Sequence, residues 1–436
     1  MKERTRLSAK DEVLEKQKRY LFPSIITYYS EPLVVESGKG MYLYDTEGHQ
    51  YLDFFGGILT VIAGHCNDKI TDALIEQARK LQHASTLFPT APQADLAEKL
   101  AAISPGRLQK SFFTNSGTEA NETAIQMARA YTGRHEVVAL RHSYSGRSAL
   151  AMSLTANYAW RQGGPGLPGI VHAHNAYCYR CPFEKTYPDC NLVCARDIEE
   201  LIRTATSGQL AAFIAEPIQG VAGFVVPPKE YFPIVAEIIR RYGGVFISDE
   251  VQTGFGRTGG KWFGIEHWGV EPDMMTAAKG LANGSPIGAT IATPEIADAL
   301  KGLTISTFGG NPVTAVAAKA TIDFIESEGL LENSRLVGSY LHNRLKELQG
   351  KHQVIGDVRG MGLMQGIELV KDRKTKQPAA EEIKRLMDAT KENGLIVGKG
   401  GLYGNVIRIS PPLTCTKRDV DDATELLDRS FGQIAK

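Results

Sequence analysis

One lysine stands at the end of an apolar run and directly before a glycine, in Met274-Met275-Thr276-Ala277-Ala278-Lys279-Gly280. Most lysines of the chain have polar surroundings, whereas burial of this one lowers its pKa and makes it a usable amine nucleophile, as Schiff-base chemistry requires. Upstream, Val245-Phe246-Ile247-Ser248-Asp249-Glu250-Val251-Gln252-Thr253-Gly254 closes a strand of buried character with two adjacent acids. Ligands of open α/β sheets sit outside the carboxyl ends of the strands, so one acid is expected to face a ligand and the other to face outward; a carboxylate pair on a solvated loop is the plainer alternative. In Phe112-Phe113-Thr114-Asn115-Ser116-Gly117-Thr118-Glu119-Ala120-Asn121, small and hydroxyl residues stand where a strand ends and a helix begins. The free N–H groups and positive dipole end of such a helix can hold a phosphate, although Ser or Thr there also serves as an ordinary cap.

Two other patterns carry less. Gly254-Phe255-Gly256-Arg257-Thr258-Gly259 fits the dinucleotide pattern G-x-G-x-x-G and follows a strand, but no helical period follows and the acids precede the glycines, so it is read as a decoy. Cys178, Cys181, Cys190 and Cys194 could supply four thiolates to zinc, yet their middle spacing is not that of a usual finger; reduced structural cysteines and no metal are expected.

These residues need a scaffold. A first helix, read from Leu14, Tyr20 and Leu21 among charges, breaks at Pro23 and forms an arm. Leu33-Val35, Met41-Tyr44 and Tyr51-Phe54, separated by Gly38-Lys39-Gly40 and Asp45-Thr46-Glu47-Gly48, predict a β-meander. Short apolar strands then alternate with amphipathic helices, as in Lys110-Phe113 with Thr118-Ala130 and Leu210-Ala215 with Tyr231-Arg241, which implies a parallel-rich sheet covered on both faces. Helices from Pro312 and around Leu330-Leu348 and Ala379-Asn393, with strands near Gly362-Leu369, Leu395-Val397 and Val406-Ile409, describe a smaller α+β lobe completed by the meander. The expected division is residues 1–62 for the arm and meander, 63–325 for a large domain and 326–436 for the rest of the small domain.

With 436 residues, 43% hydrophobic and 22% charged, the chain has the composition of a multi-lobed globular protein. Its formal net charge of zero gives no field to draw it onto nucleic acid or an anionic membrane, so small-molecule partners are expected. A charged start where a secretory peptide would be apolar, no membrane-spanning run and only six cysteines predict a cytoplasmic protein with reduced thiols. On the same ground the glycosylation triplet Asn121-Glu122-Thr123 is read as accidental.

From about Leu33 to the C-terminus the chain resembles the class III, or ω-amino acid, aminotransferases of pyridoxal-5'-phosphate (PLP) fold type I. The likeness rests on motifs in order: Ser116-Gly117-Thr118-Glu119-Ala120-Asn121, Ser143-Tyr144-Ser145-Gly146-Arg147-Ser148, Glu216-Pro217-Ile218-Gln219-Gly220, Asp249-Glu250-Val251-Gln252, Lys279, Thr307-Phe308-Gly309-Gly310-Asn311-Pro312 and Arg408-Ile409-Ser410-Pro411-Pro412-Leu413. Asp53-Phe54-Phe55-Gly56-Gly57 and Asp357-Val358-Arg359-Gly360-Met361-Gly362-Leu363 look most like its alanine-glyoxylate branch. Ser145 stands where the family commonly has His.

The resemblance implies an α/β fold, with a large PLP-binding domain on a mixed, mostly parallel sheet and a smaller α+β domain formed by the two termini. It implies Lys279 as the Schiff-base lysine and proton shuttle, Asp249 at the pyridine nitrogen, Gln252 on the phenolic oxygen, and Tyr144 stacked on the ring. Gly117 and Thr118 would hold the phosphate, with Thr307 arriving from a second subunit of a homodimer or dimer of dimers. Glu216 and Arg408 would bind substrate as a switchable ion pair, the arginine receiving a carboxylate once the glutamate swings away. The expected activity moves an amino group between an amine or amino acid and a small keto acid such as pyruvate or glyoxylate. A PLP-dependent lyase acting on a phosphorylated amine and a non-catalytic PLP-binding protein are the competing classes.

Overall fold

The computed structural model describes residues 8–163 and 166–435. An opening helix, Ala9–Tyr20, buries none of its side chains and is followed by exposed Phe22, Ile25 and Ile26. The meander comprises β1 (Val35–Lys39), β2 (Tyr42–Asp45) and β3 (Gln50–Asp53), all antiparallel. Its first strand is displaced from the Leu33-Val35 expectation. Gly38 and Lys39 pair with Leu43 and Tyr42 rather than forming the turn, and Gly40, at φ +57°, makes the corner alone. A strand can absorb Gly38 because a side chain there would press on Leu43 and His65.

Seven strands make the large sheet: β4 (Lys110–Thr114), β5 (Glu136–Leu140), β6 (Ile170–Ala173), β7 (Leu210–Ala215), β8 (Val245–Asp249), β9 (Met274–Ala277) and β10 (Gly288–Ala292). Their order is β4-β10-β9-β8-β7-β5-β6, with only β10 running against its neighbours, so the sheet is mixed and mostly parallel as the sequence implied. Every side chain of β7, β8, β9 and β10 is buried, as continuous apolar runs covered on both faces must be. Because β7, β8 and β9 run in parallel, their carboxyl ends open on one rim.

The C-terminal part adds β11 (Ile355–Met361), β12 (Met364–Asp372), the two-residue β13 (Gln377–Pro378), β14 (Leu395–Ile396), β15 (Gly398–Gly400) and β16 (Val406–Ile409). Four of these form a sheet in the order β11-β12-β16-β15, with β13 on β12, while β14 leaves it to pair in parallel with β3. Helices Leu330–Lys351, Ala380–Glu392 and Lys417–Ile434 cover this region. Among the described residues, no helix is long and apolar enough to cross a membrane.

Candidate active site

The rim of the large sheet surrounds a cavity of about 290 Å³ lined by Ser116, Gly117, Thr118, Tyr144, Glu216, Asp249, Gln252 and Lys279, together with Asn121, Thr60 and Ser285. Ser116 caps the helix Gly117–Thr132 by accepting from the Glu119 backbone at 3.3 Å, and Glu119 answers by accepting from the Asn115 backbone at 2.7 Å. That reciprocal cap fixes the helix end and turns the next N–H groups toward the cavity. A side chain on Gly117 would press on Val251 at 3.0 Å, so glycine there keeps the floor open to an anion.

Asp249 ends β8. Its Oδ1 accepts from the Val251 backbone at 3.1 Å and its Oδ2 from Asn121 Nδ2 at 2.9 Å. Burial raises its pKa, with the Asn121 bond the largest opposing influence. Glu250 corrects the expectation of an outward-facing acid: it turns away from the cavity but into the protein, where it is fully buried. It accepts from Ser248 at 3.0 Å, from the Gly264 and Ile265 backbones at 2.8 Å each, and from the Thr253 hydroxyl. Four donors let a carboxylate replace water with fixed partners, so this acid fastens the Gly264–Trp268 turn to β8.

Lys279 adopts φ +46°, an uncommon conformation for a side-chain-bearing residue, at the first position of a short 3-10 turn after β9. Enclosure lowers its pKa, against the pull of Asp249 and Glu216. Gly280 lets Ile62 close behind it, since a side chain there would stand 3.0 Å from Ile62 Cδ1.

Glu216 follows β7. One of its oxygens accepts from the Tyr144 backbone at 3.2 Å and the other from the Gly220 backbone at 2.8 Å; burial, then the nearby Asp249, pushes its pKa up to about 8. Arg408, on β16, donates from Nε to the Lys399 carbonyl at 3.0 Å and from Nη1 to the Gly220 carbonyl at 3.5 Å, its guanidinium resting between Phe55 and Phe224. The expected Glu216–Arg408 ion pair is therefore not formed. The Gly220 backbone stands between them, its N–H engaged by the acid and its C=O by the base, and this indirect link replaces the contact.

The structure places the other expected residues as follows. Tyr144 is half-buried on the cavity wall, edge-on to Trp160 at 5.5 Å. Ser145 is buried, its backbone N–H donating to the Thr155 hydroxyl and its carbonyl accepting from Asn121. Thr307 does not reach the cavity of its own chain; it lies in a separate small cleft with His83, Ser85, Thr86 and Gln93. Among the apolar residues of the neighbouring segments, Phe55 and Leu59 are buried whereas Ile58, Leu87 and Phe88 are exposed, and none of the five lines the cavity. The four clustered cysteines share one small recess as free thiols, and no three of their sulfurs lie within 4.8 Å of one another. The Gly254–Gly259 loop holds no ligand space: Arg257 fills it, donating to the Leu363 and Pro411 carbonyls.

Sequence reasoning missed Asn121 and Thr60. The Asn121 signal was available, because the apparent glycosylation triplet begins inside the phosphate-loop motif; its asparagine is 1% exposed and engaged on three sides.

The donor set suits the implied cofactor. Gln252 Oε1 is buried without a hydrogen-bond partner, and glycine at 220 leaves room for that amide at the cavity. The NH2 of the same amide can donate to a phenolic oxygen alongside. An anion-holding helix end, a carboxylate on the opposite side and an enclosed amine complete what a phosphorylated pyridine aldehyde requires.

The profile of the family described as Aminotransferase class-III matches residues 27–431. Alanine–glyoxylate aminotransferase 2 homolog 2, mitochondrial, from Arabidopsis thaliana is 45% identical over 425 residues, which cover 97% of this chain and 88% of that protein. The leucine/methionine racemase of Thermococcus litoralis is 41% identical over 433 residues, covering 98% and 96%. An amine transaminase from an uncultivated Pseudomonas species, solved in its PLP-bound form, superposes with a TM-score of 0.90 at 33% identity, over 95% of this chain and 99% of that one.

Proposed function

Because this chain belongs to the class III aminotransferases and is a PLP-dependent transaminase, we propose that alanine with glyoxylate or pyruvate is the pair it handles. The observation that carries the choice is the placement of Arg408, a buried guanidinium held by two hydrogen bonds to backbone carbonyls, Lys399 at 3.0 Å and Gly220 at 3.5 Å, and free of any carboxylate within 4.0 Å among the described residues. Such a fork is available to a substrate carboxylate, which it can grip with two hydrogen bonds.

When bound, pyridoxal phosphate supplies an aldehyde for amines and a ring that takes up the electrons released when a Cα–H bond breaks. Gly117 and Thr118 bind its phosphate at the helix N-terminus. Asp249 would keep a proton on the ring nitrogen, Gln252 would donate to the phenolic oxygen, and Tyr144 would pack against the ring. Lys279 would hold the cofactor through Nζ, and its amine would serve as the base that moves a proton. Glu216, held by two backbone N–H groups, sets the Gly220 backbone on which Arg408 also rests.

Mixing the holoenzyme with alanine and following the cofactor absorbance tests the reading, with glyoxylate or pyruvate then restoring the starting spectrum. No spectral change with alanine would refute the donor; interconversion of alanine enantiomers without any keto acid would point to isomerase chemistry instead.

The same reading takes the enzyme as a homodimer. Its support is that Thr307 lies outside its own cavity while exposed Leu87, Phe88, Leu303, Ile305 and Phe308 stand on the segments that meet around it. We also keep the cytoplasm as the proposed compartment, supported by six cysteines that all stand as free thiols. Subcellular fractionation placing the protein in an organelle would refute it.

A further inference from the structure

Asn121 sits within the first two turns of the helix Gly117–Thr132, 1% exposed, and its side chain ties that helix to three other segments. Its Nδ2 donates to Ser145 O at 3.0 Å and to Asp249 Oδ2 at 2.9 Å, and its Oδ1 accepts from Thr276 Oγ1 at 2.7 Å. The direction of this amide is not free. A backbone carbonyl can only accept, so the group facing Ser145 O must be the NH2. Its second hydrogen is then aimed at Asp249, and Thr276, fully buried on the neighbouring strand β9, holds the oxygen on the other side.

Asp249 needs this help. It is 3% exposed, it faces Glu216 after β7, and a carboxylate so placed is driven toward its neutral form. Three charged or polar side chains oppose that drive, Asn121 on the helix first, then Lys279 after β9 and Thr276 on it, besides the Val251 N–H. Lys279 helps only while its amine is charged. An amide donor helps in every state of the lysine.

We propose that Asn121 is a positioning residue for the reaction, keeping Asp249 ionised and its free lone pairs turned to the cofactor's ring nitrogen; this rests on reading the cavity as the PLP site. Thr276 is its partner in that role, since without the hydroxyl the amide loses the bond that locks its oxygen. A carboxamide is suited to the task because it supplies donors without adding a charge that would compete with the carboxylate.

The test uses holoenzyme loaded with pyridoxal phosphate carrying 15N in the ring, and compares wild type with Asn121→Asp, Asn121→Leu and Thr276→Val. Asn121→Asp keeps the shape and the acceptor for Thr276 but places a second carboxyl against Asp249, so the two share a proton. Asn121→Leu removes donor and acceptor together. The expected result is a ring-nitrogen resonance that moves from protonated toward unprotonated in both, with the alanine half-reaction falling roughly ten- to hundredfold per bound cofactor. Thr276→Val should move the same signal in the same direction by less, and it carries the test should the Asn121 variants not fold. A ring nitrogen that stays protonated in every variant that binds the cofactor overturns the inference and leaves the site reading intact. A wild-type protein that takes up no cofactor overturns the site reading itself.

Discussion

Lys279 meets two requirements that usually exclude each other, an amine enclosed enough to be neutral part of the time and a backbone held in a left-handed turn that presents it. Lys279→Ala is expected to keep the fold and lose essentially all transamination, and borohydride reduction followed by peptide mapping checks it: the pyridoxyl label should fall on Lys279 in the wild type and nowhere in the variant. Glu216 gives a prediction in pH. Its folded pKa of about 8 lies above its unfolded value, so the folded protein binds a proton the unfolded chain has already lost. The stability Glu216 contributes is present below about pH 4.5 and lost as pH rises toward 8. The apoenzyme should therefore melt at lower temperature at pH 8 than at pH 6, and Glu216→Gln, which cannot ionise and whose single amide oxygen can keep one of the two backbone bonds, should flatten that slope. Asp249, Glu250 and Asp273 are shifted the same way and will leave a residual slope. Arg408→Ala should raise KM for alanine, pyruvate and glyoxylate by the loss of a charge-assisted pair worth about 1.5–3 kcal/mol; unchanged kinetics for all three would remove Arg408 from the substrate site. Lys279 was legible because its neighbours, an apolar run and a glycine, mark it as buried, whereas the choice of Asp249 over Glu250 came from the resemblance and not from the adjacent acids themselves. The relation of Glu216 to Arg408 was not legible, because it passes through the Gly220 backbone, a tertiary contact that leaves no local mark.

The elements that carry these residues are joined by close approaches that only glycine allows. The Gly254–Gly259 loop is the clearest instance: a side chain on Gly362 would collide with its backbone at Thr258 and Gly259, one on Gly259 would press on the backbone of Arg335 in the helix Leu330–Lys351, and Arg257 bolts the loop to the Leu363 and Pro411 carbonyls. Two of its guanidinium nitrogens lack partners, and burial lowers its pKa to about 9. Arg257→Ala should destabilise the protein by about 3 kcal/mol or more, through orphaned carbonyls and an unfilled cavity, as read from the urea midpoint. Titration with NAD should give no saturable heat, which separates this packing role from dinucleotide binding. Strands such as Leu210–Ala215 and Val245–Asp249 were read directly, since a continuous apolar run has few other meanings. β11 was missed because Gly356, Asp357, Arg359 and Gly360 erase the alternation, and its extended form comes from pairing with β12. The last helix, Lys417–Ile434, went unnamed although Thr416 and Asp419 form a capping box three residues apart that spells its start.

For the whole molecule, the prediction is assembly: sedimentation should show a dimer, and an active monomer would contradict the shared site. Substituting aspartate for exposed Phe308 should weaken both the dimer and cofactor retention, because the two depend on the same surface. One earlier feature bears on how the chain is made. β3 gains its second neighbour only from β14, through Leu52 and Asp53 against Leu395 and Ile396, and Phe54 is held further by Ser410. A ribosome delivers the meander first and its partner strand almost last, so throughout synthesis of the large sheet the nascent chain carries a bare strand edge, the kind of edge that recruits other chains and that chaperones cover. A premature stop near the end of the message would thus be felt at the beginning of the protein, as a meander with nothing to close against.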